Sequence, residues 1–446
     1  MWARVKLMLY GTAIVMALQV IIIGIAFFKG AQEAYMPLMT PVMLLSTALV
    51  GIAVYAGGSL RFAGVWVVLL QIGVLLQILL LPGAYQQIRV LVLLAIVIVP
   101  LASWFLELAE GIIATKGKWV FYGGFAVMTL SYVILALFGS GVGGITRWVI
   151  IGGVSIQITE VVRLVGILMI ALALYDKTTE SNKRYLKSVA VMAASLLFFL
   201  LVSELGTLIV LGATFLVMCF LFLPLRFTFI NLALISVVLL AGAILFFIVL
   251  GGNMFTDSTF IVRTVHRVNS RISVFLDPSI EPLGIGYQAS QARLAIALGG
   301  LFGSSYRVHV PVIASDYAFV GLLLKMGGIT GIIVIVAFSA LLSEGAGIIC
   351  KQVDGGFKQA VCTGFIWSII IQAGLIIGGS TGFLPLTGIP VPFLSHGGTY
   401  FLILNAMMGY LLMSSCRSQI KYPSLGGRRH EKISRINPVL APTNTN

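Results

Sequence analysis

The sequence predicts an all-α polytopic membrane protein with about twelve transmembrane helices, and its composition and apolar patterning carry that prediction. Of the 446 residues, 59% are hydrophobic and 9% are charged, whereas soluble globular domains have about 25% charged residues. Apolar runs also recur at the length of about 20 residues that a bilayer-spanning helix needs. These observations exclude a soluble globular fold.

Twelve apolar runs have spanning length, and an even number of spans places both chain ends on the same side of the membrane. The first run follows Arg4 and Lys6 without a cleavage site of small residues, which indicates a retained signal anchor. The runs lie at about 9–28, 41–58, 62–82, 88–108, 119–138, 158–175, 187–203, 205–223, 228–250, 317–342, 359–378 and 399–416.

Lysine and arginine are distributed unevenly between the two sides of these runs. With the N-terminus inside, the inner segments hold 18 of the 28 basic residues, and the short outer loops hold Lys29, Arg89 and Arg147. Cytoplasmic loops carry the excess of positive charge, so both termini are predicted to lie inside. The net charge of +14 then suits anionic lipid, and the lack of a basic stripe argues against nucleic-acid binding.

Two extramembrane segments follow from this topology. Residues 252–315 form one long extracellular loop, in which 287–302 predict a short helix that dips into the membrane interface. The tail at 421–446 is polar, lies inside and is predicted to be disordered.

The stretch 378–398, with the sequence GGSTGFLPLTGIPVPFLSHGG, is rich in Pro and Gly and has no Lys, Arg, Asp or Glu. Neither a helix nor a sheet interior accepts that density of Pro and Gly. Irregular backbone at membrane depth persists only where it is buried in protein or lines a wet cavity. The stretch is therefore predicted to form part of the wall of a functional cavity.

Ionisable residues at membrane depth are functional candidates by default. Glu160 and Arg163 are three residues apart on one predicted helix and can face one another. They form either a buried ion pair that orients helices or part of a functional site. Glu204 is a site residue or a helix cap, and Asp316 opens a helix, where an acid also suits the helix dipole. His396 is a site residue or a structural donor in a tight loop. The Cys and remaining His residues have no metal-ligand spacing.

Five segments, in order, resemble motifs of the FtsW/RodA/SpoVE (SEDS) family of membrane peptidoglycan glycosyltransferases, over about residues 61–420. They are Arg147-Trp148 with 157–160 (QITE) and Arg163; 203–207 (SELGT); Arg271 with 275–278 (FLDP) and 286–288 (GYQ); 314–319 (ASDYAF); and 388–399 (GIPVPFLSHGGT). Any one of these matches is weak, but five in the same order form a specific signal.

The resemblance implies a ten-helix catalytic core at 61–420, preceded by two extra N-terminal helices in 1–60. Members of the family polymerise lipid II, an undecaprenyl-pyrophosphate-linked disaccharide peptide, into glycan strands at the outer face of the bacterial cytoplasmic membrane. They work with a class B penicillin-binding protein transpeptidase. The resemblance thus implies lipid II, membrane lipid and such a transpeptidase as partners, in cell elongation, division or sporulation.

The chemistry of this reaction indicates which residues it needs. A sugar hydroxyl attacks an anomeric carbon whose leaving group is a lipid pyrophosphate. Pyrophosphate leaves without a proton, so one carboxylate acting as general base suffices, and Asp316 is predicted to be that catalytic residue. The departing charge needs Arg271 or a divalent cation such as Mg²⁺ or Mn²⁺. The predicted substrate-binding residues are Arg271, Glu160, Arg163, Glu204, Ser395, His396, Gly397 and Gly398.

Some positions depart from the family pattern. Leu324 and Lys325 occupy the place of an acidic pair, and the lysine is expected near the middle or inner half of its helix. Two alternatives therefore stay open: a non-catalytic scaffold for a cell-wall synthase, and a lipid II flippase or other transporter. Transporters usually pair broken helices in two repeat halves, and this chain has one break. The conservative replacements are His396 for Tyr, Thr399 for Ser, Glu204 for Asp, Thr159 for Ser and Arg163 for Lys.

Overall fold

The computed structural model describes residues 2–142, 145–151, 154–237, 260–280, 283–352 and 356–417. Over these residues the chain forms thirteen α-helices and a small antiparallel sheet. The helices are α1 Trp2–Phe28, α2 Gln32–Tyr55, α3 Leu60–Leu80, α4 Tyr85–Phe138, α5 Ile158–Leu174, α6 Ser181–Leu201, α7 Leu205–Phe222, α8 Leu225–Val237, α9 Phe260–Leu276, α10 Ile285–Gly299, α11 Ala318–Lys351, α12 Phe357–Thr381 and α13 Gly398–Arg417. The strands are β1 Gly139–Val142, β2 Ile145–Ile151 and β3 Val154–Gln157.

The helical membrane architecture is confirmed. Among the described residues, nine helical segments are long and apolar enough to cross a bilayer, and each overlaps one of the twelve predicted runs. Helices α5 and α13 lie at two further runs, and α5 has only 17 residues. Of the run at 228–250, only the part within α8 is described. The total of twelve spans stays a prediction, as does the division of the chain at residue 60.

Helix α4 differs from expectation, because two predicted spans are joined without a loop. The chain stays helical for 54 residues and kinks only at Lys116, where φ is −129° and ψ is 29°. After Pro100 the helix contains no further proline, and the connection includes Ala, Glu and Lys, which favour a helix, although Gly111 and Gly117 lie within it. The predicted inner loop at 109–118 is therefore a helical bend.

The sheet was not predicted from the sequence. Strand β2 pairs with β1 on one side and β3 on the other, both antiparallel. Its sequence ITRWVII is β-branched and aromatic, which suits a strand, but the segment is short and flanked by apolar helices that dominate the pattern. Strand β3 ends at Gln157, directly before α5. The backbone N–H of Gln157 donates to Thr399 Oγ1 of α13 at 3.3 Å.

The centre of the bundle is formed by α3 and α12, whose spanning windows are 72% and 67% buried, whereas those of α1 and the second half of α4 are 22% and 17% buried. Trp66 of α3 is fully buried and its indole N–H donates to Asn405 Oδ1 of α13 at 3.2 Å. The outer helices thus present apolar side chains to lipid, and the central helices support the irregular stretch between α12 and α13.

Outside the central helices, the predicted short helix at 287–302 corresponds to α10, and its depth at the membrane interface stays a prediction. The predicted tail at 421–446 lies outside the described residues.

Candidate functional site

Residues 382–397, the Pro/Gly loop, connect α12 to α13. The loop begins at Gly382, which ends α12 in the left-handed conformation with φ of 83°, and Phe383 N–H bonds back to the Gly378 carbonyl at 2.8 Å. It closes in a turn where Ser395 Oγ accepts from the Val391 N–H at 2.7 Å. Proline and glycine prevent a helix here, and these hydrogen bonds fix the irregular backbone in one conformation.

The end of the Pro/Gly loop is tied to the segment that carries Asp316. Ser395 Oγ donates to the Ser315 carbonyl at 2.6 Å, and the backbone N–H of His396 donates to the Ala314 carbonyl at 2.7 Å. Ser395 is buried and its hydroxyl is engaged on both sides. Its contacts therefore position the segment before Asp316, rather than presenting the hydroxyl to a substrate.

Two charged side chains from distant parts of the chain meet at Gly388 of the Pro/Gly loop. A Cβ built on Gly388, where φ is +69°, would lie 3.1 Å from Arg271 Nη2 and 3.4 Å from Asp316 Oδ2. The guanidinium of Arg271 also donates from Nη1 to the Thr387 carbonyl at 2.8 Å. Asp316 is half-buried. The two residues that the sequence singled out for catalysis and pyrophosphate binding are thus adjacent.

A narrow cleft lies beside this pair and has a volume of about 30 Å³. Arg271 of α9, Arg293 of α10 and Tyr317 line it together with apolar side chains such as Phe275 and Leu386. Two arginines in a half-apolar cleft form a suitable environment for a phosphate group on a lipid chain.

Glu160 and Arg163 form the predicted ion pair, with Arg163 Nη2 2.6 Å from Glu160 Oε2 and both side chains almost fully buried. Arg163 Nη1 donates to Gln372 Oε1, and Gln372 Nε2 donates to the Pro390 carbonyl at 2.7 Å. The guanidinium also lies 5.8 Å from the ring centre of Tyr400. The pair is therefore connected to the Pro/Gly loop through Gln372 of α12.

Glu204 occupies the N-cap position of α7 and is buried. Its carboxylate accepts from Thr207 Oγ1 at 3.3 Å, although its side chain makes no cap hydrogen bond to the helix backbone. Gly206 follows, and a Cβ there would lie 2.8 Å from the Thr387 carbonyl oxygen. The start of α7 thus packs directly against the Pro/Gly loop, and Glu204 lies behind the loop.

The remaining predicted site residues lie where the loop enters α13. Burial lowers the pKa of His396, so its imidazole is neutral near pH 7, and its Nδ1 has no hydrogen-bond partner among the described residues. A Cβ on Gly397 or Gly398 would meet only ordinary contacts at 3.7 Å. Close packing therefore does not require glycine at either of these two positions.

The prediction that Lys325 lies near the middle or inner half of its helix is wrong. Lys325 lies in the second turn of the 34-residue helix α11, near its N-terminal end, because the helix begins at Ala318. Two residues later the helix breaks at Gly327, where φ is 85°, and then continues to Lys351. The chain after α10 packs into this break, where Ser304 N–H donates to the Leu324 carbonyl at 2.7 Å and Gly328 N–H to Gly300 at 2.8 Å. Leu324 is buried.

Sequence reasoning missed three supports of the Pro/Gly loop. Gln372 links it to the ion pair, Gln77 Nε2 donates to the Ser395 carbonyl at 3.3 Å, and a Cβ on Gly73 would lie well inside 3.0 Å of the Phe393 carbonyl oxygen. For Gln372 and Gln77, the sequence signal that could have found them is a polar amide side chain within an apolar spanning run. Among the described residues, no group of three His, Cys, Asp or Glu side chains could hold a metal ion. The described residues therefore do not fit a protein-held divalent cation.

The fold and site define a multi-pass α-helical membrane protein with a polar site built around an irregular loop. Residues 90–419 match the FtsW/RodA/SpoVE family model, described as cell cycle protein, and the chain belongs to this family. It is 30% identical over 303 residues to stage V sporulation protein E of Bacillus subtilis (strain 168), covering 64% of this chain and 77% of that protein. It is 26% identical over 294 residues to a probable peptidoglycan glycosyltransferase FtsW of Shewanella sediminis (strain HAW-EB3), covering 63% and 67%.

One solved structure shares the fold with a TM-score of 0.59 and 20% identity, covering 80% of this chain and 98% of that one. It comes from a study of how a peptidoglycan synthase complex coordinates polymerization and crosslinking. This likeness confirms the helical membrane architecture.

Proposed function

We propose that this protein is a peptidoglycan glycosyltransferase that polymerises lipid II at the outer face of the cytoplasmic membrane. The observation that carries the proposal is the meeting of Arg271 and Asp316 at Gly388. A carboxylate and a guanidinium, brought together from separate elements beside a cleft, are the minimal set that transfer from a sugar pyrophosphate requires. Membership of the family and the names of the curated relatives support the same reaction.

In the proposed reaction, Asp316 accepts the proton of the attacking sugar hydroxyl. The hydroxyl oxygen forms a bond to the anomeric carbon of the second lipid II while the bond from that carbon to the pyrophosphate oxygen breaks. The lipid pyrophosphate departs with both electrons of that bond and needs no proton. One general base therefore serves the whole displacement.

Arg271 is proposed to hold the departing pyrophosphate. Its hydrogen bond to the Thr387 carbonyl fixes the plane of the guanidinium, whose fork of donors matches phosphate oxygens. Arg293 lines the same cleft and offers a second positive charge. The cleft of about 30 Å³ has room for about one or two water molecules, so we propose that α9 and α10 move apart when lipid II binds.

The test is polymerisation of labelled lipid II by the purified protein, compared with Asp316→Asn, Arg271→Gln and the control Glu33→Gln. Glu33 is an exposed acid at the start of α2, away from the Pro/Gly loop. We expect glycan strands from wild type and control, none from Asp316→Asn, and slower turnover from Arg271→Gln. Each preparation is first checked for folding by size-exclusion chromatography.

A partner of the class B penicillin-binding protein type is proposed to accompany the enzyme, so the assay is repeated with that partner present. If wild type makes no polymer under either condition, the enzyme proposal fails and the scaffold alternative gains support. If wild type and Asp316→Asn both move lipid II across liposome bilayers without polymer, the protein is a transporter.

A further inference from the structure

A second polar cavity opens at the other end of α5 from Glu160. It lies where α4, just after its kink, approaches the end of α5 and the start of α6, and its volume is about 460 Å³. By the distribution of basic residues this end of the bundle faces the cytoplasm. The cavity, called here the inner cavity, is far larger than the cleft beside Asp316, and the proposed glycosyl transfer does not use it.

The charged side chains that line the inner cavity are mostly cationic. Lys118, Arg184 and Lys187 line it, together with the single carboxylate of Asp176. That carboxylate is occupied within its own loop, because it accepts from Thr178 Oγ1 at 2.6 Å and from Thr179 Oγ1 at 2.7 Å. The positive charge of the cavity is therefore only partly neutralised by the protein.

Arg184 supplies a second, independent observation. The residue is 5% exposed, and its Nη2 donates to the carbonyl of Leu174 at the end of α5 and to that of Phe222 at the end of α7, the latter at 2.9 Å. Its Nε–H is buried and has no acceptor among the described residues. A buried charged donor without an acceptor is unfavourable, and an anionic oxygen from a ligand would satisfy it.

The other side chains of the cavity are typical of a membrane interface. Phe121, Tyr122 and Tyr175 line it, and Tyr122 is 66% exposed. Aromatic rings at this level lie among lipid headgroups, and basic pockets between helices on the cytoplasmic side bind anionic headgroups. We propose that the inner cavity binds the phosphate of an anionic phospholipid from the cytoplasmic leaflet.

The test measures thermal stabilisation of the purified full chain in detergent by dioctanoyl phosphatidylglycerol, dioctanoyl phosphatidylcholine and inorganic phosphate. The variant is Lys118→Gln/Lys187→Gln, which leaves Arg184 in place to cap its two helices. The matched control is Lys177→Gln/Lys183→Gln, which removes the same charge from two exposed lysines that do not line the cavity, one in the loop before α6 and one in the first turn of α6.

We expect phosphatidylglycerol to stabilise the wild type and the control, with about twenty-five-fold weaker apparent affinity in the cavity variant, about fivefold for each lysine. Phosphatidylcholine should have little effect. If inorganic phosphate alone stabilises the wild type and the cavity variant loses that effect, the lipid source is overturned while the anion site stands. Equal responses of the cavity variant and the control, or no stabilisation of the wild type by either anion, would overturn the proposal.

Discussion

Replacing Gly388 with alanine probes the meeting point of Arg271 and Asp316 directly. The new Cβ would lie 3.1 Å from Arg271 Nη2 and 3.4 Å from Asp316 Oδ2, so one or both groups must shift by a few tenths of an ångström. The bond from Arg271 to the Thr387 carbonyl resists that shift. Since a misplacement of about 1 Å can cost about a hundredfold in rate, we expect lipid II polymerisation to fall by about tenfold.

A matched control separates this effect from backbone strain. Gly388 and Gly30 both have φ of +69°, and a Cβ on Gly30, in the turn between α1 and α2, would meet nothing within 4 Å. Alanine in the left-handed region costs about 1–2 kcal/mol at either position, so both variants should lose similar stability in thermal unfolding. Only Gly388→Ala should lose activity. Equal polymerisation rates in the two variants would show that the position of Gly388 does not govern the site.

Three further outcomes follow from the supports of the Pro/Gly loop. Arg163→Met strands the buried charge of Glu160 and should lower the free energy of unfolding by about 3–5 kcal/mol in denaturant titration, more than Arg163→Lys. Gly73→Ala should reduce both stability and polymerisation, whereas Gly64→Ala on the same helix, where a Cβ meets nothing within 4 Å, should not. Burial holds the pKa of His396 below its usual 6.5, so the unfolded chain takes up a proton first and stability should fall as pH drops below about 6.5. His396→Gln should flatten that slope in thermal unfolding, and an unchanged slope would show that another group titrates.

The membrane architecture could be predicted because each apolar run of spanning length is visible in the local sequence. The same apolar runs obscured the strands between α4 and α5, since a short β-branched segment next to spanning helices cannot be distinguished from their apolar pattern. The bend in α4 was also missed, because a polar interruption of an apolar run indicates a loop even when its residues favour a helix. The break in α11 at Gly327 could not be predicted either, since only backbone geometry reveals it.

The candidate site was predicted in its parts and not in its arrangement. Asp316 is a candidate because it is ionisable and opens a spanning helix, and Arg271 because it lies in a segment that resembles a family motif, yet their meeting at Gly388 depends on tertiary packing that no local pattern contains. Glu160 and Arg163 could be paired from their spacing alone. The hydrogen bonds that connect Arg163 through Gln372 to the Pro/Gly loop could not be predicted in this way, because Gln372 lies about 210 residues from Arg163 in sequence.

The attachments of the Pro/Gly loop explain why its sequence can depart from the family pattern. Its neighbours bind main-chain atoms: Arg271 donates to the Thr387 carbonyl, Gln372 to that of Pro390 and Gln77 to that of Ser395. These three attachments depend on the backbone conformation of the loop, whereas the attachment of the loop to Ser315 is made by the Ser395 side chain.

His396 and Thr399, which replace the Tyr and Ser of the family pattern at the end of the loop, also leave the hydrogen bonds of the loop in place. His396 is held by its N–H, and the Thr399 hydroxyl accepts from the Gln157 N–H as a serine hydroxyl would. A histidine in place of tyrosine therefore leaves the attachment intact, whereas the conformation at Gly388 and the turn closed by Ser395 cannot change without moving the segment that carries Asp316.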